Sequence, residues 1–216
     1  VLRDLHLRIM TVRQGGGRID SARTGGQMRG LRVAVYGCGV IGRRFIEMLA
    51  PFGCQVTVFG RYAEAVPSWC RRVSTLRDLC VDTDALVIHA GLTEATRKTV
   101  TAELLALLPD HGIVVNTARG GIVDQEALFA ELASGRLRAG LDVLEPDTLP
   151  ADHPARQWEN LIWTAHRIGG SAWPEGTEIP TRLANYHGIA LDNLRRFVAG
   201  QELLNRITLR QYDLMT

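Results

Sequence analysis

The sequence predicts an α/β protein built on a doubly wound parallel sheet. Short apolar runs alternate with helical patterns along most of the chain, and a glycine-rich turn follows the first of these runs. Polar side chains follow several of the later runs. Alternation of strand and helix is typical of parallel sheets, which bind ligands at the carboxyl ends of their strands.

The first predicted unit is a strand, a glycine turn and a helix. The apolar run Arg32–Tyr36 is followed by GCGVIG, from Gly37 to Gly42. In this pattern the first glycine permits a tight turn, the second lets a pyrophosphate approach the backbone, and the third lets the helix pack closely. The unpaired amides at the helix N-terminus would face the phosphates. The side chains expected on one face of this helix are Ile41, Phe45, Met48 and Leu49.

The remaining elements follow in order from apolar runs and helical spacing. Further strands are predicted at residues 55–59, 85–89, 113–116, 137–141 and 161–164. Helices are predicted at residues 1–13, 101–108, 124–133 and 180–199, with a loop and a short helix within 63–80. We expect residues 1–30 to form a helix and a glycine-rich connector, 31–170 the dinucleotide-binding domain, and 171–216 a C-terminal helix and tail.

Composition narrows the class of protein. The chain has 216 residues, 46% of them hydrophobic, and a net charge of +2 from 25 basic and 23 acidic residues. The balanced charge gives no reason to expect nucleic acid or a membrane surface as a partner. Cys38, Cys54, Cys70 and Cys80 form no C-x-x-C pair, which favours reduced thiols in a cytoplasmic protein without a metal site.

The end of the second strand bears on the choice of nucleotide. NAD-binding units carry an acidic residue there, which accepts hydrogen bonds from the adenosine ribose. This chain has Gly60 followed by Arg61. A glycine leaves room for a 2′-phosphate and an arginine pairs with it, so NADP is favoured over NAD. Arg43 and Arg44 could assist, whereas a merely solvated Arg61 would leave NAD as the cofactor.

Three candidate catalytic residues follow three different strands. Arg119 follows the run ending at Asn116, the acidic loop that contains Asp147 follows Leu141, and His166 follows Thr164. Each residue alone is more often structural than functional. Because the carboxyl ends of parallel strands share one sheet edge, we expect the three to converge on one cleft.

These motifs resemble the nucleotide-binding domain of the D-isomer-specific 2-hydroxyacid dehydrogenases. The resemblance extends from about Leu31 to Gly170 through GCGVIG, HAGLTEATR, NTARGGIVDQEAL, GLDVLEP and TAHRIGGS. It implies Arg119 as the residue that binds the substrate carboxylate and His166 as the acid/base, with Asp142 near the nicotinamide. Together with the glycine turn, the predicted cofactor-binding residues are Gly37, Gly39, Val40, Ile41, Gly42, Gly60, Arg61, Ala90, Thr117, Ala118, Asp142 and Gly169.

The resemblance also implies a mechanism and an assembly. Arg119 would anchor a 2-oxo acid, the nicotinamide would deliver a hydride to C2, and His166 would protonate the oxygen. The partner would be a small 2-oxo or 2-hydroxy acid, and the family pattern implies a homodimer.

The chain departs from the family at several positions. Asp147 stands where the family has the glutamate that pairs with the histidine, so a direct hydrogen bond to His166 needs a backbone shift or a bridging water. Glu145 is an alternative partner. Ala165 and Gly91 stand where the family usually has proline, which loosens both loops.

Only a helix and a glycine connector precede Leu31, where the family carries a substrate-binding lobe. We therefore expect either a fragment of a longer enzyme or a nucleotide domain that keeps only remnants of a second domain. A non-catalytic dinucleotide-binding module is the alternative function. A short-chain reductase is disfavoured because no Tyr-x-x-x-Lys pair follows the middle of the predicted sheet.

Overall fold

The computed structural model describes residues 1–2, 4–16, 26–61, 63–168, 185–209 and 212. The chain divides into two compact units, residues 1–168 and 169–216. The first unit holds a seven-stranded sheet. The described part of the second unit contains one long helix.

All seven strands of the sheet run parallel. They are β1 (Arg32–Tyr36), β2 (Gln55–Phe59), β3 (Arg71–Arg72), β4 (Ala85–Ile88), β5 (Ile113–Asn116), β6 (Arg138–Leu141) and β7 (Leu161–Trp163). The spatial order is β3-β2-β1-β4-β5-β6-β7, and each neighbouring pair is hydrogen-bonded. The order reverses between β1 and β4, which opens a crevice at their carboxyl ends. The predicted doubly wound fold is confirmed.

Helices of the first unit pack on both faces of the sheet, with α2 (Val40–Leu49) on one face and α3 (Leu76–Cys80), α4 (Ala102–Leu105) and α5 (Gln125–Ala133) on the other. Helix α1 (Leu5–Arg13) precedes the sheet in sequence and buries no side chain, and α6 (Asn185–Val198) lies in the second unit. Short 3-10 turns lie at Ala50–Phe52, Ala63–Ala65, Gly120–Ile122 and Pro154–Gln157. None of the helices in the described residues has the length and apolar character needed to cross a bilayer.

The core has two layers because successive side chains of a strand point to opposite faces. On one face, Ala34 and Tyr36 of β1 belong to a buried cluster with Leu128 of α5. On the other face, Val33 and Val35 belong to a cluster with Ile46 of α2. The sheet is therefore enclosed on both sides, as its continuous apolar strands predict.

The predicted buried face of α2 is partly wrong. The buried residues are Gly42, Ile46 and Leu49, whereas Ile41 and Met48 are 71% and 62% exposed. The reason is that Gly42 packs its backbone against the preceding turn, and a residue without a side chain gives no apolar signal. Phe45 is half-buried.

Strand β3 was absent from the predicted elements. It consists of two exposed arginines that pair with Thr57 and Val58 of β2. A two-residue edge strand with charged side chains has no apolar period, so sequence patterning does not detect it.

The other elements differ from prediction mainly at their ends. Strands β4, β6 and β7 are one residue shorter than predicted. Helix α4 ends at Leu105, and residues 107 and 108 continue as tighter turns that donate to Leu104 and Leu105. Helix α6 agrees with the prediction over 185–198, while residues 180–184 lie outside the described residues.

Candidate active site

The glycine turn between β1 and α2 is shaped by close backbone contacts. Gly37 has φ +104°, and a Cβ there would lie 2.4 Å from the backbone nitrogen of Ala90. A Cβ on Gly42 would lie 2.2 Å from the carbonyl oxygen of Gly37. At Gly39, by contrast, a Cβ would meet nothing within 4 Å. The first and third glycines thus close the turn against its neighbours, and the second leaves open space above it.

The N-terminus of α2 faces this open space without a side-chain cap. Gly39 is the N-cap residue, and the first turn contains no acidic side chain. The side chains of Val40 and Ile41 are exposed. Free amide groups at a helix N-terminus favour an anion.

Gly60 and Arg61 lie at the end of β2, next to the same turn. A Cβ on Gly60 would lie 3.1 Å from the backbone nitrogen of Cys38, so Gly60 also packs closely against the turn. Arg61 is exposed. Arg44 contacts Glu47 at 2.6 Å and is therefore engaged within its own helix.

Arg119 lies on a turn that Asn116 holds in place. The buried side-chain amide of Asn116 donates to the carbonyl oxygen of Arg119 at 2.9 Å, and its oxygen accepts from the amide of Ala118 at 3.0 Å. Thr117 and Arg119 are exposed, and the guanidinium of Arg119 donates to the carbonyl of Ala118 at 2.7 Å. Asparagine at a strand end often makes such local bonds, which is a signal that sequence reasoning overlooked.

Asp147 contacts His166 directly. Oδ2 of Asp147 lies 2.7 Å from Nδ1 of His166, and Oδ1 accepts a hydrogen bond from the amide of Leu144 at 2.9 Å. The pKa of Asp147 lies below its ordinary value, chiefly because its carboxylate accepts the hydrogen bond from the Leu144 amide. His166 and the charge of Arg119 lower this pKa further, and burial acts in the opposite direction. Glu145 does not contact the imidazole, because it pairs with Arg97 at 2.6 Å.

Asp142 organises the loop that carries His166. Its Oδ1 accepts hydrogen bonds from the hydroxyl of Thr164 at 2.5 Å, the amide of Arg167 at 2.9 Å and the amide of Ile168 at 3.2 Å. Burial opposes ionisation, but these bonds outweigh it and lower the pKa of Asp142. Its own carbonyl accepts from the amide of His166 at 2.6 Å. Sequence reasoning placed Asp142 near the cofactor and missed this organising role.

Ala165 and His166 adopt left-handed backbone conformations, with φ of 52° and 59°. Proline fixes φ near −65° and could not occupy position 165 in this turn. The direct contact between Asp147 and His166 therefore accompanies a backbone arrangement that alanine permits.

A shallow pocket of about 250 Å³ connects the Arg119 turn with the loop of Asp147. The residues that line it are Leu92, Arg119, Gly120, Gly121, Val143, Leu144, Glu145, Pro146 and Asp147. Two of the three predicted catalytic residues thus share a pocket, and the third is bonded to one of them. Ala90 approaches the glycine turn as described, while Gly169 lies outside the described residues.

The chain matches a known protein family. The family model described as "D-isomer specific 2-hydroxyacid dehydrogenase, NAD binding domain" matches residues 1–167. A glyoxylate/hydroxypyruvate reductase of Arabidopsis thaliana is 30% identical over 216 residues, which cover 97% of this chain and 62% of that protein.

Solved structures similar to this chain include complexes with nucleotides. A D-isomer specific 2-hydroxyacid dehydrogenase from Xanthobacter autotrophicus, in complex with NADPH and MES, is 29% identical with a TM-score of 0.72, covering 97% of this chain and 83% of that one. An NAD-dependent formate dehydrogenase from Staphylococcus aureus, in complex with NAD, is 27% identical with a TM-score of 0.72. The match covers 93% of this chain and 59% of that one.

The matched region is only part of the relatives' length. This chain spans between 28% and 62% of the curated relatives that it matches. The family model covers residues 1–167, which include the glycine turn, Arg119, Asp147 and His166. By sequence and by fold, the chain belongs to the D-isomer-specific 2-hydroxyacid dehydrogenase family, of which it contains the nucleotide-binding domain.

Proposed function

We propose that this chain contributes the cofactor site and the acid/base group of an oxidoreductase that interconverts small 2-oxo and 2-hydroxy acids. The observation that carries the proposal is the 2.7 Å contact between His166 and Asp147 in a domain that also presents Arg119. A domain that only bound a nucleotide would need neither an oriented imidazole nor an arginine beside it.

The residues around the glycine turn fit a nicotinamide dinucleotide. The open space at Gly39 and the uncapped N-terminus of α2 suit the pyrophosphate. The exposed side chains of Val40 and Ile41 would cover the bound nucleotide, with Ala90 across the crevice. Thr117 and Ala118 would contact it from the Arg119 turn. When bound, the nicotinamide supplies or accepts the hydride.

Residues of this chain would bind the substrate and supply the proton. Arg119 would leave its carbonyl contact with Ala118 and hold the substrate carboxylate in two parallel hydrogen bonds. The Nδ1 proton of His166, donated to Asp147, fixes the imidazole so that Nε2 faces the substrate oxygen and gives it a proton. The depressed pKa keeps the Asp147 carboxyl ionised and able to accept that bond.

The cofactor in this proposal is NADP rather than NAD. Gly60 offers no carboxylate to the ribose, and Arg61 is exposed without a hydrogen bond or ion pair to another described residue. A 2′-phosphate would pair with Arg61, and its charge would meet no acidic side chain at position 60. One relative of known structure was solved with NADPH and another with NAD, so the family accommodates both.

A small substrate is consistent with the pocket and with the relatives. The pocket beside Arg119 has a volume of about 250 Å³, and one relative is named for glyoxylate and hydroxypyruvate. We propose these two 2-oxo acids as the first substrates to test.

A dinucleotide-binding module without turnover is the second candidate. It is favoured by the openness of the acid/base pair, because the side chains of His166 and Asp147 are 49% and 45% exposed. Water reaching this pair would compete with substrate for its hydrogen bonds.

One titration separates the two candidates. The chain is titrated with NADPH and with NADH, and glyoxylate or hydroxypyruvate is then added while the nicotinamide absorbance is followed. The enzyme proposal expects tighter binding of NADPH and consumption of it after the oxo acid is added. Binding without consumption favours the module, and binding of neither nucleotide contradicts both.

Assembly and compartment are also proposals. Cys38, Cys54, Cys70 and Cys80 form no disulfide with one another, which supports a reducing compartment such as the cytoplasm. The homodimer implied by the family pattern is tested by light scattering of the purified chain.

A further inference from the structure

Arg97 and Glu145 join two loops that flank the candidate site. Nη1 of Arg97, in the loop after β4, lies 2.6 Å from Oε1 of Glu145, in the loop after β6. The main chain beside each residue is also hydrogen-bonded: the amide of Lys98 donates to the carbonyl oxygen of Gly121 at 2.8 Å, and the amide of Glu145 donates to Oε1 of Gln125 at 2.8 Å. The ion pair therefore spans two segments that are each anchored locally.

The turn that carries Arg119 packs between these two loops. A Cβ on Gly120 would lie 2.2 Å from the carbonyl carbon of Leu144, so the two backbones touch. A Cβ on Gly121 would lie 2.7 Å from Oε2 of Glu145 and 3.0 Å from Nη1 of Arg97. The ion pair thus crosses directly over Gly121, two residues after Arg119.

The same loops lead to the groups of the candidate site. Leu144, next to Glu145, donates its amide to Asp147 at 2.9 Å. On the other side, the hydroxyl of Thr96, next to Arg97, donates to the carbonyl of Gly91 at 2.7 Å, beside the cofactor-facing Ala90. A continuous set of contacts therefore connects the loop that contains Ala90 and Gly91, the turn that carries Arg119, and the Asp147 carboxylate that contacts His166.

We infer that Arg97 and Glu145 are positioning residues that clamp the loop of Asp147 onto the Arg119 turn, and thereby set the geometry between Arg119 and the His166–Asp147 pair. This inference rests on the proposed function. Both side chains are about half exposed, at 49% and 42%, and an exposed ion pair contributes little to global stability. Its loss should therefore alter the site more than the fold.

The test compares four variants with the wild-type chain. Arg97→Gln and Glu145→Gln each remove one charge, and the double variant Arg97→Glu with Glu145→Arg restores the pair with reversed polarity. Glu94→Gln is the matched control, because Glu94 is a carboxylate near Arg97 that does not accept its hydrogen bond. For each variant, the turnover number, the KM for the 2-oxo acid, the NADPH affinity and the melting temperature are measured.

We expect each single neutral variant to lower kcat about fivefold while the melting temperature and the NADPH affinity stay unchanged. The charge-reversed pair should recover most of the loss, and Glu94→Gln should behave as wild type. Unchanged kcat in both single variants, or a loss that the reversed pair does not recover, would overturn the inference. A parallel fall of melting temperature and activity would assign the pair to the fold and also overturn it.

A second readout does not require turnover. Hydrogen exchange of the Leu144 amide reports directly on its bond to Asp147. We expect faster exchange in Glu145→Gln and recovery in the charge-reversed pair, whether or not the wild-type chain reduces a 2-oxo acid. Absent wild-type turnover with this exchange pattern would contradict the proposed function alone, whereas unchanged exchange would contradict the positioning role.

Discussion

Nδ1 of His166 and Oδ2 of Asp147 lie 2.7 Å apart, in loops that follow different strands of the sheet. The aspartate side chain is one methylene shorter than the glutamate expected from the family, yet no bridging group is needed. The left-handed turn at Ala165 and His166 accompanies this contact. The Leu144 amide holds the other oxygen of the carboxylate, so the imidazole meets a fixed acceptor.

The first prediction concerns the charge of Asp147. In His166→Ala the pKa of the Asp147 carboxyl should rise towards its ordinary value, because one of its hydrogen bonds and a nearby positive charge are lost. Carbon NMR of the aspartate carboxyl groups over a pH series measures this change. Asp152→Asn, on the same exposed loop, is the control and should leave Asp147 unaffected. An unaltered Asp147 titration in His166→Ala would mean that the contact is electrostatically inert.

The second prediction concerns the pH dependence of stability. Burial lowers the pKa of His89, whose Nε2 has no hydrogen-bond partner among the described residues and whose ring lies 5.1 Å from that of Phe45. Between its folded pKa and about 6.5, the unfolded chain binds more protons, so stability is lost as pH falls through this window. The free energy of unfolding is measured with urea at about pH 7.5 and about pH 5.5, roughly one unit either side of the unfolded pKa of histidine. The loss of this free energy on acidification should be smaller in His89→Phe than in the wild-type chain. His111→Gln, at an exposed histidine, is the control and should lose as much stability as the wild-type chain. An equal loss in His89→Phe and in the wild-type chain would contradict the assignment.

The third prediction separates two glycines of the turn. Gly42→Ala places a Cβ 2.2 Å from the carbonyl oxygen of Gly37, so it should lower the free energy of unfolding by about 1–3 kcal/mol. Gly39→Ala meets no atom within 4 Å and has φ −67°, so it should change stability by less than about 1 kcal/mol. Gly39→Ala should nevertheless weaken nucleotide binding, because its Cβ enters the space that we assign to the pyrophosphate. Denaturant unfolding and nucleotide titration of both variants decide the matter; equal stability, or full affinity in Gly39→Ala, would be inconsistent with these roles.

The fourth prediction concerns nucleotide choice. Arg61→Ala should weaken NADPH binding about tenfold, as expected for the loss of a charge-assisted hydrogen bond to phosphate, and leave NADH binding unchanged. Arg44→Ala is the control, since Arg44 is already paired with Glu47. Fluorescence titration of the bound nicotinamide measures both affinities. If the two affinities fall equally, Arg61 does not contact the 2′-phosphate.

The sequence permitted prediction of the sheet more fully than of the site's geometry. Continuous apolar runs mark β1 and β4 because those strands are buried on both faces. The charged edge strand Arg71–Arg72 and the backbone packing of Gly42 escaped prediction, because neither contributes an apolar side chain to a period.

Residue types and strand ends predicted which groups would share a sheet edge, but not what each one contacts. Nothing local distinguishes Asp147 from Glu145 as the partner of His166. That outcome depends on Arg97, which is 48 residues away in sequence and engages Glu145. The organising bonds of Asp142 likewise depend on a turn 22 to 26 residues further along the chain.

The central claim is that His166 acts as the acid/base beside a bound nicotinamide. It is tested most directly by measuring kcat with glyoxylate and the dissociation constant of NADPH in the wild-type chain and in His166→Ala. We expect kcat to fall by about 10²–10⁴ in the variant while the NADPH dissociation constant changes less than about twofold. Turnover that persists in His166→Ala, or NADPH binding that is lost together with turnover, would contradict it.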